Sequence, residues 1–436
     1  MSNSVPPRRS RRRFLRHTGA ALAASTLAPQ LWAHLASSQP KLRGFSADAV
    51  ARDEDFWRPI QDAYPVDRAM LNLNNGGVSP SPWKAQQSLR RMLDFANQSP
   101  AYNMWRIQEP KKEAVRRDLG QVFGADPEEL AIVRNATEAL ETVTFGLRLK
   151  PGDEVIATDQ DYPRMVAAWK QRAMREGIVF RQIKLPFPGD DPDAVVQAFR
   201  EAITDKTRVL HFSHVIFLSG QILPVAKLCA LAREHGLLSL VDGAHALAHL
   251  DFSISDLGCD FYGSSLHKWL SAPVGTGLLY VKKPNIGPLW PLFAADQPES
   301  DDIRKLEQIG THPCPLFLSI AESLRLQRAI GTDRKSARLR YLRDYWAEPV
   351  SRLRGARFNT SLHPEHSCGI ANVGLEGQAT SAVYSHLLRQ DKIVTAAINH
   401  ASFNGLRVTP HVYTTLGELD RFIRAMTRID QHGIPG

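Results

Sequence analysis

The chain of 436 residues lacks the local signatures of several large enzyme classes. It contains no GxxxxGK(S/T) phosphate loop, no HExxH zinc-protease helix and no GxSxG serine-hydrolase turn. It has only four cysteines, and their wide spacing excludes a CxxC redox motif and a cysteine zinc site. We expect these cysteines to be buried free thiols that pack as small apolar side chains: Cys229, Cys259, Cys314 and Cys368.

Most of the net positive charge comes from the N-terminus of the chain. The formal net charge is +9, but residues 1–33 hold six arginines and no acidic residue. Subtracting those six charges leaves +3 for the rest of the chain, which is close to balance. Nucleic-acid binding needs a basic patch or stripe on the folded domain. The sequence therefore gives no reason to expect a nucleic-acid partner.

The N-terminal segment has the layout of an export signal. Residues 10–15 read Ser-Arg-Arg-Arg-Phe-Leu, a weakly apolar run follows from Thr18 to Trp32, and small residues lie near Ala33. Paired arginines followed by Phe-Leu resemble a twin-arginine signal. We expect a protein exported to the periplasm by the twin-arginine machinery, with a basic disordered tail as the alternative. The apolar run is too short and too rich in alanine for a stable membrane span.

Short apolar runs alternate with amphipathic stretches over the middle of the chain, which predicts a mostly parallel, seven-stranded sheet between helices. We expect an α/β protein with a signal over residues 1–33, an N-terminal helical arm over 34–69, a large domain over 70–310 and a smaller C-terminal α/β domain over 311–436. The predicted strands are Leu130–Val133, Glu154–Ala157, Val179–Ile183, Thr207–Phe212, Leu237–Val241, Phe261–Ser264 and Gly277–Val281.

Ligands of such sheets bind outside the carboxyl ends of the strands, and one of those ends carries an acid. Asp242 follows the predicted strand Leu237–Val241 in the sequence Asp-Gly-Ala-His. A buried carboxylate needs a partner. A protonated pyridine nitrogen is one such partner, because the acid keeps the ring charged and the charged ring withdraws electrons. A helix N-cap and a metal ligand are the alternatives, and the motif alone does not separate them.

A second strand end carries a lysine. Lys268 follows the strand Phe261–Ser264, 26 residues after Asp242, in the sequence Ser-Ser-Leu-His-Lys-Trp. Its neighbours are small, polar or aromatic, unlike those of a surface lysine whose stem covers apolar surface. A lysine in a desolvated pocket has a lowered pKa and can form a Schiff base. Ser265 and His267 are placed to hydrogen-bond a phosphate.

A third strand end is followed by an anion-binding pattern. Residues 134–138 read Arg-Asn-Ala-Thr-Glu and join the strand Leu130–Val133 to a predicted helix. Free backbone N–H groups at a helix N-terminus, with a threonine hydroxyl beside them, bind anions. An ordinary N-cap is the alternative interpretation.

Together, these three motifs resemble the class V aminotransferase family of fold-type I pyridoxal-phosphate enzymes. The resemblance covers residues 70–415 and is strongest over 241–281, which contain VDGAH, SSLHKWL and APVGTGLLYV. The HKW form and the loop LNLNNGG at 71–77 are closest to the isopenicillin-N-epimerase-like branch. The resemblance implies a fold-type I transferase fold, a pyridoxal 5'-phosphate cofactor and a homodimer with its site at the interface.

The resemblance also implies roles around the cofactor ring. Lys268 would hold the cofactor as a Schiff base and, once the substrate has formed an external aldimine, would abstract the α-proton. Asp242 would pair with the pyridine nitrogen, and His245 would lie near the ring hydroxyl. Tyr162, in the sequence Asp-Tyr-Pro, would stack on the face of the ring.

Further residues would bind the phosphate and the substrate. Arg407 would clamp a substrate carboxylate through two hydrogen bonds, and Asn75 would line the substrate entrance. The turn Pro273–Gly277 would reach the site of the partner subunit. The phosphate ligands implied by the resemblance are Ala136, Thr137, Ser265, His267 and Thr276.

The implied reaction acts on an amino-acid-like small molecule. We expect epimerisation or β-elimination at a carbon–sulfur bond, with amino transfer as the alternative. An exported, non-catalytic binding protein that only kept the fold is the alternative from another class. Retention of Lys268, Asp242 and Arg407 argues against it, because buried charges are costly when they have no partner.

Four positions depart from the pattern of the family. Leu266, Val274 and Thr414 replace a small residue, a hydroxyl-bearing residue and an asparagine, respectively. Phe217 lies where relatives often place a polar residue facing the cofactor, so we expect an altered, more apolar pocket. No cysteine precedes Arg407 on the loop where a cysteine desulfurase would carry its nucleophile, so we do not expect desulfuration by a persulfide route.

Two other patterns have a simple structural interpretation. His211 and His214, with Asp242 and His245, have a metal-ligand spacing, but such pairs usually bind nothing when they fall across a strand end. We therefore expect no metal. The basic run over 325–354 alternates with apolar residues, which predicts the solvated face of a helix.

Overall fold

The computed structural model describes residues 31–38, 40, 44–186 and 191–434. Residues 1–30, which carry most of the predicted export signal, lie outside this part of the chain. The central feature of the fold is a seven-stranded sheet. In order across the sheet, its strands are Leu130–Val133, Gly277–Val281, Phe261–Ser265, Leu238–Asp242, Thr207–Ser213, Glu154–Thr158 and Val179–Ile183.

The sheet is mostly parallel, as the alternation of strands and helices predicts. Gly277–Val281 runs antiparallel to both of its neighbours, and the other neighbouring pairs are parallel. The observed bounds agree with the seven predicted strands to within one residue at each end. The predicted seven-stranded, mostly parallel sheet is confirmed.

Helices cover both faces of the sheet, so successive residues of one strand enter two separate cores. Val209 belongs to one core and Leu210 to the other, and both are fully buried. Burial on both faces explains why these strands are continuous apolar runs. The helices between or beside these strands are Lys112–Phe123, Ala136–Gly146, Pro163–Glu176, Pro192–Ala202, Val225–Glu234 and Ile254–Leu257.

A second, antiparallel sheet forms the C-terminal part. Its helices Thr332–Ser351 and Leu416–His432 enclose a third core, in which Trp346 and Phe422 are fully buried. The short helix Thr380–His386 belongs to the same part. In order across the sheet, the four strands are Ala396–Asn399, Asn404–Val408, Ala371–Leu375 and Ala356–Phe358.

Strand pairing and side-chain packing extend across both predicted boundaries of the large domain. Leu71–Asn72 pairs in parallel with Ile393–Val394, and Leu73 is buried in the C-terminal core. At the other boundary, the helix Ile320–Ile330 lies beyond residue 310 but packs in the core that contains Leu210, which we call the main core. The predicted boundaries at 70 and 310 are therefore not physical separations, because apolar side chains are shared across each of them.

The predicted arm over 34–69 is built into the body of the protein. Its helices are Ala47–Ala51 and Glu54–Asp62, and Trp57 and Ile60 are fully buried in the main core. The helix Trp83–Gln98 follows. Leu31, inside the segment that the sequence assigns to the signal, is 4% exposed and packs in the same core. The fold therefore includes Leu31, although the sequence assigns residues 1–33 to the signal.

The basic run over 325–354 is only partly solvated, so its predicted exposure is wrong for several residues. Arg338 and Arg343 are fully buried, and Lys335 is 3% exposed. The Nη1 of Arg338 donates to the carbonyl of Ala51 at 2.8 Å, and Nη2 donates to the Glu54 carboxylate at 3.1 Å. The helix Thr332–Ser351 is covered by the N-terminal arm, which supplies these partners.

The four cysteines are free and buried, as predicted. Within the described ranges, no helix combines the length and the apolar character that crossing a bilayer requires. Along the chain, the short helix Cys314–Leu318 comes directly before the helix Ile320–Ile330.

Candidate active site

A cavity of about 390 Å³ opens at the carboxyl ends of the central strands. Asp242 and Ser265 are the last residues of two neighbouring parallel strands, so both reach the same edge of the sheet. The structure brings nine of the residues predicted for the site together around this cavity: Ala136, Thr137, Tyr162, Asp242, His245, Ser265, His267, Lys268 and Arg407.

Lys268 lies on the turn after the strand Phe261–Ser265, and its side chain is partly open to the cavity. Its Nζ is 3.3 Å from Nε2 of His245. Burial lowers the pKa of Lys268 to about 8, while the nearby Asp242 carboxylate opposes that shift and the Arg407 guanidinium adds to it. A lysine in these surroundings is partly neutral near neutral pH, which is the form that attacks an aldehyde or accepts a proton.

Asp242 places a carboxylate at the base of the cavity. One of its oxygens, Oδ1, accepts a hydrogen bond from the backbone N–H of Ala244 at 2.9 Å. Burial raises the pKa of Asp242, and the positive charge of Lys268 together with the Ala244 N–H opposes the rise. A cationic ring nitrogen placed against this carboxylate would relieve the cost of its burial.

The start of the helix Ala136–Gly146 forms another wall. Asn135 caps it by accepting a hydrogen bond from the N–H of Glu138 at 2.9 Å, and the N–H of Ala136 donates to Oγ of Ser265 at 2.9 Å. A Cβ at Gly277 would lie 2.6 Å from the backbone of Asn135, so glycine is needed for this close approach. The helix end presents a partial positive charge to the cavity.

His245 lines the cavity beside Lys268. Its Nδ1 is buried and has no hydrogen-bond partner within the described ranges. Burial, with Lys268 and Arg407 nearby, lowers the pKa of His245 well below its ordinary value. The ring is therefore neutral, with one nitrogen facing Lys268 and the other free for a ligand. Gly76 passes so close that an added Cβ would lie 3.2 Å from Cε1 of His245.

The guanidinium of Arg407 donates hydrogen bonds to two neutral acceptors and has no carboxylate partner in the described part of the chain. Its Nη1 donates to the carbonyl of Phe217 at 3.0 Å, and its Nη2 donates to Oδ1 of Asn74 at 2.8 Å. Burial lowers the pKa of Arg407 to about 10, with the Tyr162 hydroxyl opposing the shift. Its Nε is buried without a hydrogen-bond partner. The guanidinium therefore has an unpaired positive charge that can bind an anion.

Two residues predicted for the site do not line the cavity. The Asn75 side chain is fully buried and occupied: its Nδ2 donates to the Thr409 carbonyl at 2.9 Å, and its Oδ1 accepts from the Tyr413 hydroxyl at 2.7 Å. Asn75 therefore fixes the loop, and its neighbour Gly76 faces the cavity instead. Thr276 is fully buried, and its hydroxyl donates to the Pro273 carbonyl at 2.7 Å, which closes the turn.

The loop after the strand Phe261–Ser265 carries Lys268, and we call it the lysine loop. On its side away from the cavity lie residues that the sequence gave no reason to select. Nζ of Lys335 donates to the carbonyl of Trp269, next to Lys268, and to Oε1 of Gln327 at 2.7 Å. Burial lowers the pKa of Lys335 to about 7. The Trp269 ring stacks on His249, with ring centroids 3.8 Å apart. A lysine inside a basic helix looks like a surface residue in the sequence, so only the packing identifies it.

The histidines considered as metal ligands do not converge. Nδ1 of His211 accepts from the indole N–H of Trp169 at 3.3 Å, and Nδ1 of His214 is 3.3 Å from the Tyr262 hydroxyl. Burial lowers the pKa of His211 to about 4 and that of His214 to about 3, so both rings are neutral. In the described ranges, three potential metal ligands cluster only on a surface turn away from the cavity, at His363, Glu365 and His366.

The residues around the cavity fit pyridoxal phosphate. Its phosphate would meet the start of the helix Ala136–Gly146, its ring nitrogen would meet Asp242, and its aldehyde carbon would meet Lys268. The unpartnered Nδ1 of His245 supplies a polar contact of the kind a ring oxygen satisfies. This donor set (an anion site, a buried carboxylate and a lysine of lowered pKa) matches the chemistry of that cofactor.

Comparisons with known proteins agree with this fit. The sequence profile described as aminotransferase class-V matches residues 90–425. Isopenicillin N epimerase of Streptomyces clavuligerus is 31% identical over 387 residues, which cover 85% of this chain and 97% of that protein. A probable cysteine desulfurase of Pseudomonas aeruginosa is 29% identical over 342 residues, which cover 72% of this chain and 82% of that protein.

A solved structure shares the fold. It is a C-DES variant with glycine covalently linked to its pyridoxal-phosphate cofactor, and it matches with a TM-score of 0.76 at 22% identity, covering 84% of this chain and 98% of that chain. The predicted fold-type I architecture is thereby confirmed. Because the family profile spans most of the sequence and the relatives match over nearly their whole length, the chain belongs to the class V aminotransferase family of pyridoxal-phosphate-dependent enzymes.

Proposed function

We propose that the protein epimerises an amino-acid-like substrate and that Lys268 moves the α-proton. The observation that carries the proposal is the setting of its Nζ, which lies in the cavity within electrostatic range of Asp242 and has a pKa that burial lowers to about 8. A base whose pKa lies near the working pH is suited to take a proton and to return it. Epimerisation ranks first because an epimerase is similar over almost its whole length.

The residues of the cavity divide the work of binding and proton transfer. Bound pyridoxal phosphate supplies the sink for the electron pair that the departing α-proton leaves behind. Asp242 holds a negative charge at the base of the cavity, and the start of the helix Ala136–Gly146 holds an anion. Arg407 orients the substrate through its carboxylate. Lys268 is the base with both a lowered pKa and access to the cavity.

Isotope exchange tests this proposal. The holoenzyme is incubated in D₂O with single enantiomers of amino acids, and NMR follows the α-hydrogen while chiral chromatography follows the configuration. We expect exchange and formation of the opposite enantiomer with at least one amino acid, and both should be slowed by about 10²- to 10⁴-fold in the Lys268→Ala variant. A yellow holoenzyme that exchanges no α-hydrogen would support the non-catalytic binding protein instead.

Elimination at a carbon–sulfur bond is the second candidate, and the similarity to a probable cysteine desulfurase favours it. The four cysteines are buried and none lines the cavity. Burial raises the pKa of Cys368 to about 11, so it is protonated at neutral pH. A persulfide route needs a thiolate near the substrate, whereas direct elimination of sulfide needs only the base and the cofactor.

Product analysis separates the candidate reactions. Elimination converts L-cysteine and water to pyruvate, ammonia and hydrogen sulfide, without a second substrate. Amino transfer, the remaining alternative, releases a 2-oxo acid and continues only when another 2-oxo acid accepts the amino group. Pyruvate and sulfide in equal amounts would favour the lyase, and a dependence on added 2-oxo acid would favour the aminotransferase.

We further propose that the enzyme is a homodimer in which the turn Pro273–Gly277 meets the partner subunit. Val274 on this turn is 65% exposed, and Tyr102 and Trp105 are 60% and 57% exposed. A partner subunit that covered these side chains would remove their apolar surface from water, which is favourable. Light scattering should give the mass of a dimer for the wild type and a lower mass for Val274→Asp.

We also propose export to the periplasm through the twin-arginine pathway. The support is the Ser-Arg-Arg-Arg-Phe-Leu sequence at residues 10–15 and the apolar run that follows it. This route carries folded proteins, which suits an enzyme that binds its cofactor in the cytoplasm. Fractionation of cells should find the wild type in the periplasm, and a variant with Arg11→Lys and Arg12→Lys should remain in the cytoplasm.

A further inference from the structure

Several apolar side chains line the active-site cavity. The rings of Tyr162 and Phe217 meet edge to face, with centroids 5.4 Å apart, and both line the cavity. Met165, Val215 and Ile398 line it as well. The Phe217 carbonyl also binds Nη1 of Arg407 at 3.0 Å, so the apolar wall adjoins the carboxylate clamp directly.

Positive charge in the cavity is limited to two side chains. Among the described residues that line it, Lys268 and Arg407 are the two lysine or arginine residues. His245 and His267 also face the cavity, but burial lowers the pKa of each, so both are neutral. Lys268 is committed to the cofactor and the α-proton under the proposed function, which leaves Arg407 for the α-carboxylate. No cationic group of the described chain then remains in the cavity for an acidic side chain.

We propose that the site selects amino acids with an uncharged, apolar side chain, and that Phe217 sets this preference. The inference rests on the proposed function, because it assumes that Arg407 holds the α-carboxylate. With the carboxylate there, the side chain of the substrate lies beside Phe217. A second carboxylate against this ring would lose its water without gaining a partner, which is unfavourable.

Spectral titration of the holoenzyme tests this inference. L-Leucine, L-methionine and L-phenylalanine are compared with L-aspartate and L-glutamate, and the shift of the visible cofactor band gives an apparent Kd for each. We expect the apolar amino acids to bind about tenfold or more tightly than the acidic ones, which is the discrimination that a few apolar contacts supply. Acidic amino acids that bind equally or more tightly would overturn the inference.

Variants assign the preference to its residue. Phe217→Asn should reduce the ratio between apolar and acidic amino acids toward one, and Phe217→Leu should retain it. Phe45→Asn makes the same chemical change at a side chain that is 64% exposed and outside the cavity, and it should behave as the wild type. A ratio that is unchanged in Phe217→Asn would refute the role of Phe217.

The failure of the inference can be told apart from the failure of the proposed function. A holoenzyme that exchanges the α-hydrogen of acidic amino acids preferentially keeps the proposed function and overturns the apolar preference. A holoenzyme whose band responds to no amino acid contradicts the proposed function, and the substrate inference fails with it.

Discussion

Two lysines of lowered pKa lie on opposite sides of the loop that follows the strand Phe261–Ser265, and their surroundings differ in kind. Lys268 faces the cavity, with the Asp242 carboxylate in electrostatic range. Lys335 reaches the rear of the loop and donates hydrogen bonds to backbone and amide oxygens. Burial lowers the pKa to about 8 for Lys268 and about 7 for Lys335. The lowered pKa is therefore common to both lysines, whereas the open cavity and the nearby carboxylate distinguish Lys268.

The largest expected effect separates the two lysines by chemistry. Lys268→Ala should abolish the cofactor band and slow α-hydrogen exchange by about 10²- to 10⁴-fold, the usual contribution of a general base. Lys335→Met should keep both the band and measurable exchange, because Lys335 does not line the cavity. Absorbance and NMR of the two purified variants check this. Equal loss in both variants would remove the distinction between them.

We expect the lowered pKa of Lys335 to affect how the stability of the protein depends on pH. Between about pH 7 and the ordinary lysine pKa of 10.5, the unfolded chain binds a proton that the folded chain has released. The contribution of Lys335 to the free energy of unfolding therefore rises with pH across this window. Urea titrations should show the wild type gaining stability relative to Lys335→Met as the pH rises. The control Lys206→Met alters an exposed lysine, and its difference from the wild type should not change with pH.

Lys268 should respond to its charged neighbours in opposite directions. The Asp242 carboxylate raises its pKa, and the Arg407 guanidinium lowers it. Capture of pyridoxal phosphate by the apoprotein needs the neutral amine, so its rate should rise with pH through about 8 in the wild type. Stopped-flow absorbance should give a lower midpoint for Asp242→Asn and a higher one for Arg407→Met. Midpoints that move together would contradict this electrostatic account.

The smallest expected effect concerns the support of Arg407. Asn74→Ala removes the acceptor of its Nη2, and the clamp should become less ordered. A hydrogen bond to a charged group contributes about 1.5–3 kcal/mol, so we expect KM to rise by about tenfold or more with a smaller change in kcat. Asn97→Ala, at an exposed asparagine, is the matched control. A change in kcat alone would place Asn74 in a different role.

The sequence predicted the strands and most of the cavity because both depend on local patterns. A strand buried on both faces is a continuous apolar run, so strands such as Leu130–Val133 were predicted at their observed bounds. Functional residues of a parallel sheet follow its carboxyl edge, which made Asp242 and Lys268 candidates. The motif of the family then supplied Tyr162 and Arg407, and the cavity contains them all.

What the sequence did not predict depends on partners far along the chain. Asn75 was expected at the substrate entrance. Its side-chain amide instead hydrogen-bonds to Thr409 and Tyr413, which are 334 and 338 residues away in the sequence. Lys335 and Arg338 were expected in solvent, but the N-terminal arm and the lysine loop cover them. Local spacing reports the face of a helix, not which distant segment will pack on it.

The loop after Leu71–Asn72 hydrogen-bonds to the residue that follows the strand Asn404–Val408, and this contact has a consequence for biosynthesis. Asn75 and Gly76 hydrogen-bond to Thr409 across 334 and 333 residues. Contacts of such sequence separation carry a large loop-closure entropy, and they cannot form until the C-terminal strands have been synthesised. A nascent chain whose strand Asn404–Val408 is still in the ribosome lacks both Arg407 and the closing wall beside Gly76. The cavity is therefore complete only after this strand has left the ribosome.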